Sequence, residues 1–115
     1  MNVYEKLNNC RIELQGMKLK KSGKNKFAGY EYYELQDFLP TIIELFNKYK
    51  LCSVVSYSPE TATMHLCNIE KPDEIITFHS PMAEANLKGC HPIQNLGAVE
   101  TYQRRYLYMA ALEIV

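Results

Sequence analysis

The chain has 115 residues, of which 47% are hydrophobic and 23% charged, and its formal net charge at pH 7 is zero. This length and composition predict one globular domain and exclude a disordered chain. They also exclude a chain that crosses a membrane, because no apolar run approaches the roughly 18 residues that a span needs. The N-terminus lacks a basic-then-apolar secretion signal, so we expect a cytoplasmic protein.

The first segment predicts a helix over residues 3–15. Its apolar residues recur at helical spacing: Val3, Leu7, Cys10 and Leu14. Asn2 and Glu5 have the spacing of a capping box, and Gly16 marks the end of the helix.

A lysine-rich loop is predicted next, over residues 18–26, followed by a short extended piece at residues 29–33. The loop has five lysines and no acidic residue: Lys18, Lys20, Lys21, Lys24 and Lys26. Tyr30, Tyr32 and Tyr33 follow at once. Basic residues beside aromatic rings are typical of surfaces that bind single-stranded nucleic acid. The competing interpretations are a solvated loop and tyrosines that pack in a core.

A second helix is predicted from about Asp37 to Lys50. One face of it is apolar: Leu35, Phe38, Leu39, Ile42, Phe46 and Tyr49. Pro40 is expected in the first turn, where proline is tolerated. Three strands follow, at residues 51–57, 62–69 and 74–80, and short polar turns between them predict an antiparallel meander. Helices beside such a sheet give an α+β fold. No element is predicted for residues 81–92.

The last helix is predicted over residues 94–115. At about 100° per residue its core face holds six residues: Leu96, Val99, Tyr106, Leu107, Ala110 and Ile114. The opposite face holds Thr101, Arg104, Arg105 and Tyr108. Two guanidiniums, a hydroxyl and a ring suit phosphates and bases, although an ordinary solvated helix face is the competing interpretation. No cap ends the pattern at Val115, so we expect this domain, residues 1–115, to be the N-terminal part of a longer chain.

The residues provide no pattern for catalysis, metal binding or a cofactor. The four cysteines and three histidines lack zinc-ligand spacing, so reduced thiols are expected instead. Cys90 beside His91 would suggest a reactive thiol, but no orienting partner is identifiable. No phosphate-binding glycine loop is present. A non-enzymatic protein that uses no cofactor is therefore expected.

Residues 97–107, GAVETYQRRYL, resemble the signature G-[SA]-x-x-T-Y-x-[RK]-R-Y-x-L of the ERF (essential recombination function) family of phage recombination proteins. Two earlier stretches also resemble the family. Lys24 to Phe27 with Tyr30 and Tyr32 is similar to K-N-x-x-x-x-Y-x-Y, and residues 37–51 are similar to a segment ending P-L-L-x-K-x-G-L. Lys50 stands where that segment has glycine.

The resemblance implies ATP-independent annealing of complementary single strands in phage recombination. It implies a β-β-β-α core like that of the eukaryotic strand-annealing mediators, whose rings hold the DNA backbone in a positively charged groove with the bases outward. By position, Arg104 and Arg105 fall in that groove, Lys24 and Lys26 on its opposite wall, and Tyr108 where the mediators have a further basic residue. The implied partners are single-stranded DNA, further copies of the chain in a ring, and a phage or host single-strand-binding protein.

The predicted DNA-binding residues, from the residues and the resemblance together, are Arg104, Arg105, Thr101, Tyr108, Lys20, Lys21, Lys24, Lys26, Tyr30 and Tyr32. The alternative from another class is a self-assembling protein-interaction module whose lysines only keep it in solution. Retention on single-stranded DNA would discriminate between the two.

Overall fold

The structure is a computed structural model that describes residues 1–83, 89 and 91–115. These residues form eight elements in chain order: α1 (Val3–Gln15), β1 (Gly23–Asn25), β2 (Tyr30–Tyr32), α2 (Leu35–Tyr49), β3 (Leu51–Tyr57), β4 (Thr61–Asn68), β5 (Ile75–Pro81) and α3 (Pro92–Leu112). Cys90, and with it the hypothesis of a reactive thiol, lies outside the described residues. None of the described helices has the length and apolarity to cross a membrane.

The predicted α+β fold with an antiparallel meander is confirmed. The sheet has the order β3-β4-β5, with Leu51 paired to Asn68 at one end and Thr61 paired to Pro81 at the other. The predicted capping box of α1 is also confirmed, because the Asn2 side chain accepts from the Glu5 N–H at 2.9 Å and the Glu5 carboxylate accepts from the Asn2 N–H at 3.0 Å.

One face of the sheet is covered by the three helices, and the core lies between them. Residues of β3, β4 and α1–α3 are buried there, among them Leu7, Phe38, Ile42, Met64, Leu66 and Leu107. Lys6 is also buried, at 1% exposure, and its ammonium donates to Asn68 Oδ1 and Glu70 Oε1, both at 2.6 Å. These bonds satisfy the buried charge and join α1 to the end of β4.

On the opposite face of the sheet, the outward residues of the three described strands include no lysine, arginine, aspartate or glutamate. The outward residues of its strands are Cys52, Val54, Ser56, Thr61, Thr63, His65, Cys67, Ile75, Thr77, His79 and Pro81. Val54 is 55% exposed and Ile75 is 49% exposed. We call this surface the uncharged sheet face. A face without formal charge has a small desolvation penalty on contact with another protein surface.

The lysine-rich segment is only partly a loop, so that prediction was incomplete. Its second half is β1, which pairs with β2 in an antiparallel hairpin that places Gly23 opposite Tyr32. A side chain at Gly23 would lie 2.4 Å from the Tyr32 ring, so glycine permits this close packing. Strands of three residues are too short to be predicted from the alternation of apolar and polar residues.

The second helix begins two residues earlier than predicted. Asp37 Oδ2 accepts from the Glu34 N–H at 2.8 Å, which places the cap at Glu34. Pro40 is consequently the sixth residue of α2 and not in its first turn, so the prediction for Pro40 was wrong. The helix ends at Lys50 in the left-handed region, with φ of 58°. This is the position at which the family signature has glycine, which adopts that conformation without strain.

The predicted faces of the last helix were wrong in part: Val99 and Leu107 are buried and Thr101 is exposed as expected, but other positions are reversed. Tyr108, expected in solvent, is 5% exposed and shares a 2.8 Å hydrogen bond with the Ser53 hydroxyl, whereas Tyr106, expected in the core, is 49% exposed. Leu96 and Ala110 are likewise exposed. Gln103 is buried because its side chain accepts a hydrogen bond from Ser80. Tyr108 and Gln103 are polar, but both have hydrogen-bond partners in the interior. The buried face of α3 therefore differs from the face that hydropathy predicts.

Candidate nucleic-acid interface

Arg105 is held between α3 and the β1–β2 hairpin by aromatic rings. Its guanidinium lies 5.0 Å from the ring centroid of Tyr32, 5.1 Å from that of Tyr106 and 6.0 Å from that of Tyr102. Its Nε donates to the backbone carbonyl of Tyr33 at 2.6 Å. We call the three tyrosine rings and the Tyr33 carbonyl the tyrosine cage. The cage orients the guanidinium, and within the described part of the chain only one of its five N–H groups donates a hydrogen bond.

Arg105 also lines an open cleft of about 450 Å³ with residues of the hairpin. The other lining residues are Lys24, Asn25, Lys26, Phe27, Tyr30, Tyr32, Tyr102 and Tyr106. We call this the hairpin cleft. Five of the ten predicted DNA-binding residues meet there: Arg105, Lys24, Lys26, Tyr30 and Tyr32. Three cationic groups beside several tyrosines are a surface that suits a polyanion bearing aromatic bases.

Arg104 faces a different cleft, on the other side of α3. It lines a space of about 670 Å³ with Thr101, with the cap residue Glu34 and with residues of α2 that include Gln36 and Glu44. The Thr101 hydroxyl donates to the Gly97 carbonyl at 2.9 Å. Burial raises the pKa of the nearby Tyr57 phenol, and the positive charge of Arg104 opposes that rise. The two arginines, predicted on one surface, therefore point into two clefts that are separated by α3.

The remaining predicted residues lie outside both clefts. Lys21 is exposed, with its ammonium 5.1 Å from the Tyr33 ring centroid, and Lys20 is exposed on the segment before the hairpin. Tyr108 is in the core, so the prediction that its ring is available to a base was wrong. Its buried hydroxyl supports β3 instead.

Neither arginine is neutralised by a carboxylate among the described residues. The four ion pairs found there join glutamates to other cations: Lys6, Arg11, Lys48 and Lys71. Partial burial raises the pKa of the Tyr32 phenol, and Glu34 adds to that effect while Arg105 opposes it. Tyr32 is therefore a neutral ring in the physiological range. The described residues hold no cluster of three or more side chains that suits a metal ion.

Sequence reasoning missed Tyr102, Tyr106 and Phe27. Tyr102 and Tyr106 lie one turn apart on α3 and flank Arg105, a spacing that the sequence displays but that the misassigned helix face concealed. Phe27 lies at the hairpin tip, between the loop predicted at residues 18–26 and the extended piece predicted at residues 29–33.

The chain matches a known protein family. The family model described as the ERF superfamily matches residues 3–115, which is essentially the whole chain and contains both clefts. No curated protein and no solved structure is significantly similar to the chain.

Proposed function

Since the chain belongs to the ERF superfamily, we propose that it binds single-stranded DNA and anneals complementary strands in phage homologous recombination, as an oligomer in the host cytoplasm. The observation that carries this proposal is the hairpin cleft. Arg105, Lys24 and Lys26 converge there with Tyr30 and Tyr32, and the arginine meets no carboxylate in an ion pair within the described part of the chain.

The physical basis of binding is the release of counterions, strengthened by stacking. Each phosphate that a lysine or arginine neutralises on a single strand contributes about −0.7 to the slope of log K, the binding constant, against log salt concentration. With roughly three cationic groups in the cleft, one copy has a slope near −2 and modest affinity. Base stacking on an exposed tyrosine adds about 1–3 kcal/mol per base and does not depend on sequence, as annealing of any strand requires.

Assembly multiplies these weak contacts, because contacts on one strand add through effective concentration. The uncharged sheet face and the zero net charge support assembly, since copies without net charge do not repel one another. The proposed mechanism uses no ATP and no metal. Once the backbone is held and the bases are accessible, pairing with a complementary strand is favourable by itself.

Replacing the two exposed lysines of the hairpin tests the cleft directly. We expect Lys24→Ala with Lys26→Ala to weaken binding to an oligothymidylate and to reduce the salt slope by about 1.4, because two phosphate contacts are lost. Lys71→Ala, on the exposed turn between β4 and β5, is the matched control and should leave both quantities unchanged. Unchanged affinity and slope in the double variant would remove the cleft from the interface.

Arginine variants extend the test to both sides of α3. We expect Arg104→Ala combined with Arg105→Ala to abolish binding to single strands while the oligomer persists. The Arg104→Ala variant alone reports on the second cleft, because Arg104 does not contribute to the tyrosine cage. An affinity of the Arg104→Ala variant equal to that of the wild type would confine the interface to the hairpin side of the helix.

The second candidate function is a self-assembling protein-interaction module that does not bind nucleic acid. The uncharged sheet face favours it, since such a surface suits another protein better than a polyanion. Chromatography on single-stranded DNA cellulose discriminates between the two. Retention at low salt with release by salt supports annealing, whereas passage through the column by a protein that sediments as an oligomer supports the module.

A further inference from the structure

Phe27 is the most exposed aromatic residue among the described part of the chain. Its side chain is 104% exposed, at the tip of the β1–β2 hairpin, while the tyrosines of the same hairpin are partly covered. A phenyl ring has no polar group to gain from water, so an isolated ring held in solvent forfeits the burial that stabilises aromatic residues elsewhere. The ring is therefore available to gain that burial by contact with a ligand.

The hairpin turn holds the backbone of Phe27 in place. Asn25 Oδ1 accepts hydrogen bonds from the Phe27 N–H at 3.1 Å and the Ala28 N–H at 2.9 Å. The Gly29 N–H donates to the Asn25 carbonyl at 2.8 Å, and Gly29 has a φ of 70° that closes the turn. The side-chain amide of Asn25 also reaches the Tyr30 hydroxyl at 3.3 Å. These bonds preorganise the tip, so presenting the ring to a ligand costs little further order.

The surroundings of the ring indicate the chemistry of that ligand. Lys24 and Lys26 line the hairpin cleft together with Phe27, Tyr30 and Arg105. A ligand that suits a flat apolar ring and several cations in one cleft is itself flat, aromatic and attached to an anion. A nucleotide has this composition, with its base for the ring and its phosphates for the lysines. An apolar protein surface or a lipid tail would need a wider apolar area than one ring among polar neighbours provides.

We propose that Phe27 is a stacking platform for an unpaired nucleobase at the tip of the hairpin, a role that rests on the proposed function. Bases in a duplex already stack on their neighbours, so an exposed ring adds affinity for unpaired strands and little for paired ones. The lysines hold the backbone irrespective of pairing, and Phe27 favours the single strand. After pairing, the loss of the stacked base releases the product duplex from the tip.

Three variants test the role. Phe27→Ala removes the ring, and Phe27→Trp keeps a stacking surface and adds a unique reporter, because the chain has no tryptophan. Tyr4→Ala, on α1, removes another exposed aromatic ring, 68% exposed, and is the matched control. Each variant is titrated with an oligothymidylate, with an abasic oligonucleotide of the same length and with a duplex, and its assembly mass is measured by light scattering.

We expect Phe27→Ala to weaken binding of the oligothymidylate about 5- to 150-fold, the range measured for the loss of one stacked base. Binding of the abasic strand and of the duplex, and the salt slope, should be unchanged. Phe27→Trp should restore affinity, and its indole fluorescence should be quenched by the oligothymidylate and not by the abasic strand.

Two results of the binding titrations would overturn the stacking role while leaving the proposed function intact. One is Phe27→Ala binding as well as Tyr4→Ala. The other is an equal loss with the abasic strand, which would show that the ring does not contact a base. A lower assembly mass for Phe27→Ala would also overturn it and would assign the ring to contact with a second copy. Failure of the wild-type protein to bind any oligonucleotide would instead refute the proposed function.

Discussion

Arg105 supports the hairpin as well as the proposed interface, so its replacement should destabilise the domain. Arg105→Ala removes the 2.6 Å hydrogen bond to the Tyr33 carbonyl, and hydrogen bonds from charged groups contribute about 1.5–3 kcal/mol. It also removes three cation–π contacts, of which one at a partly exposed site contributes about 0.5–1 kcal/mol. Because one cation serves all three rings, we count that contribution once and expect a loss of about 2–4 kcal/mol.

Urea denaturation followed by tyrosine fluorescence measures this loss, since the chain has nine tyrosines and no tryptophan. The neighbouring Arg104→Ala is the matched control, because Arg104 makes no hydrogen bond or ion pair to the described residues, and its effect should stay within about 0.5 kcal/mol. Arg105→Lys keeps the charge and loses the planar fork, so it should fall between the two. Equal stability of the two alanine variants would refute the structural role of the tyrosine cage.

Four further predictions concern the scaffold. Lys50→Gly should raise the free energy of unfolding by about 0.5–1 kcal/mol, since glycine relieves the cost of the left-handed φ of 58°; a lower denaturation midpoint would contradict this. Lys6→Ala should lower the free energy of unfolding by about 2–3 kcal/mol. Lys6→Met should lower it by less, because methionine keeps an apolar chain in the place of the buried lysine methylenes. At pH 8, iodoacetamide should alkylate the exposed Cys52 and spare Cys10, because burial raises the pKa of the Cys10 thiol to about 11; rapid modification of Cys10 would disprove this. The hydrogen bond from Lys6 lowers the pKa of Glu70 below its usual 4.5. The ionised Glu70 therefore contributes its full stabilisation above pH 4.5, and this contribution is lost as the pH falls through the lowered pKa. Acid titration of Glu70→Gln should therefore show a shallower loss of stability than the wild type.

The sequence predicted those parts of the fold in which local pattern and tertiary packing agree. The capping box at Asn2, the meander of β3–β5 and the existence of all three helices followed from spacing and turn residues. Spacing did not predict which face of α3 is buried. Tyr108 and Gln103 are buried through hydrogen bonds to residues distant in the chain, and no local pattern encodes those partners. Part of the candidate site was hidden for the same reason.

The grouping of the site residues shows a similar division. The lysine-rich segment was identified as a candidate surface from its composition, and the arginine pair from its helical spacing and the family resemblance. That Lys24 and Lys26 meet Arg105 and not Arg104 depends on the docking of the hairpin against one side of α3, which a linear motif does not specify. The Tyr32 ring packs closely on Gly23, which contributes to this packing only by having no side chain.

The hairpin is fastened to the rest of the domain mainly by side chains, because its two short strands pair with each other and not with the main sheet. Elements of this kind open locally at a lower free energy than the core, so their amide hydrogens exchange with solvent first. A ligand that engages Arg105 either reinforces the tyrosine cage or takes the arginine from it. Slower or faster deuterium uptake at Tyr30–Tyr32 therefore indicates which of the two occurs.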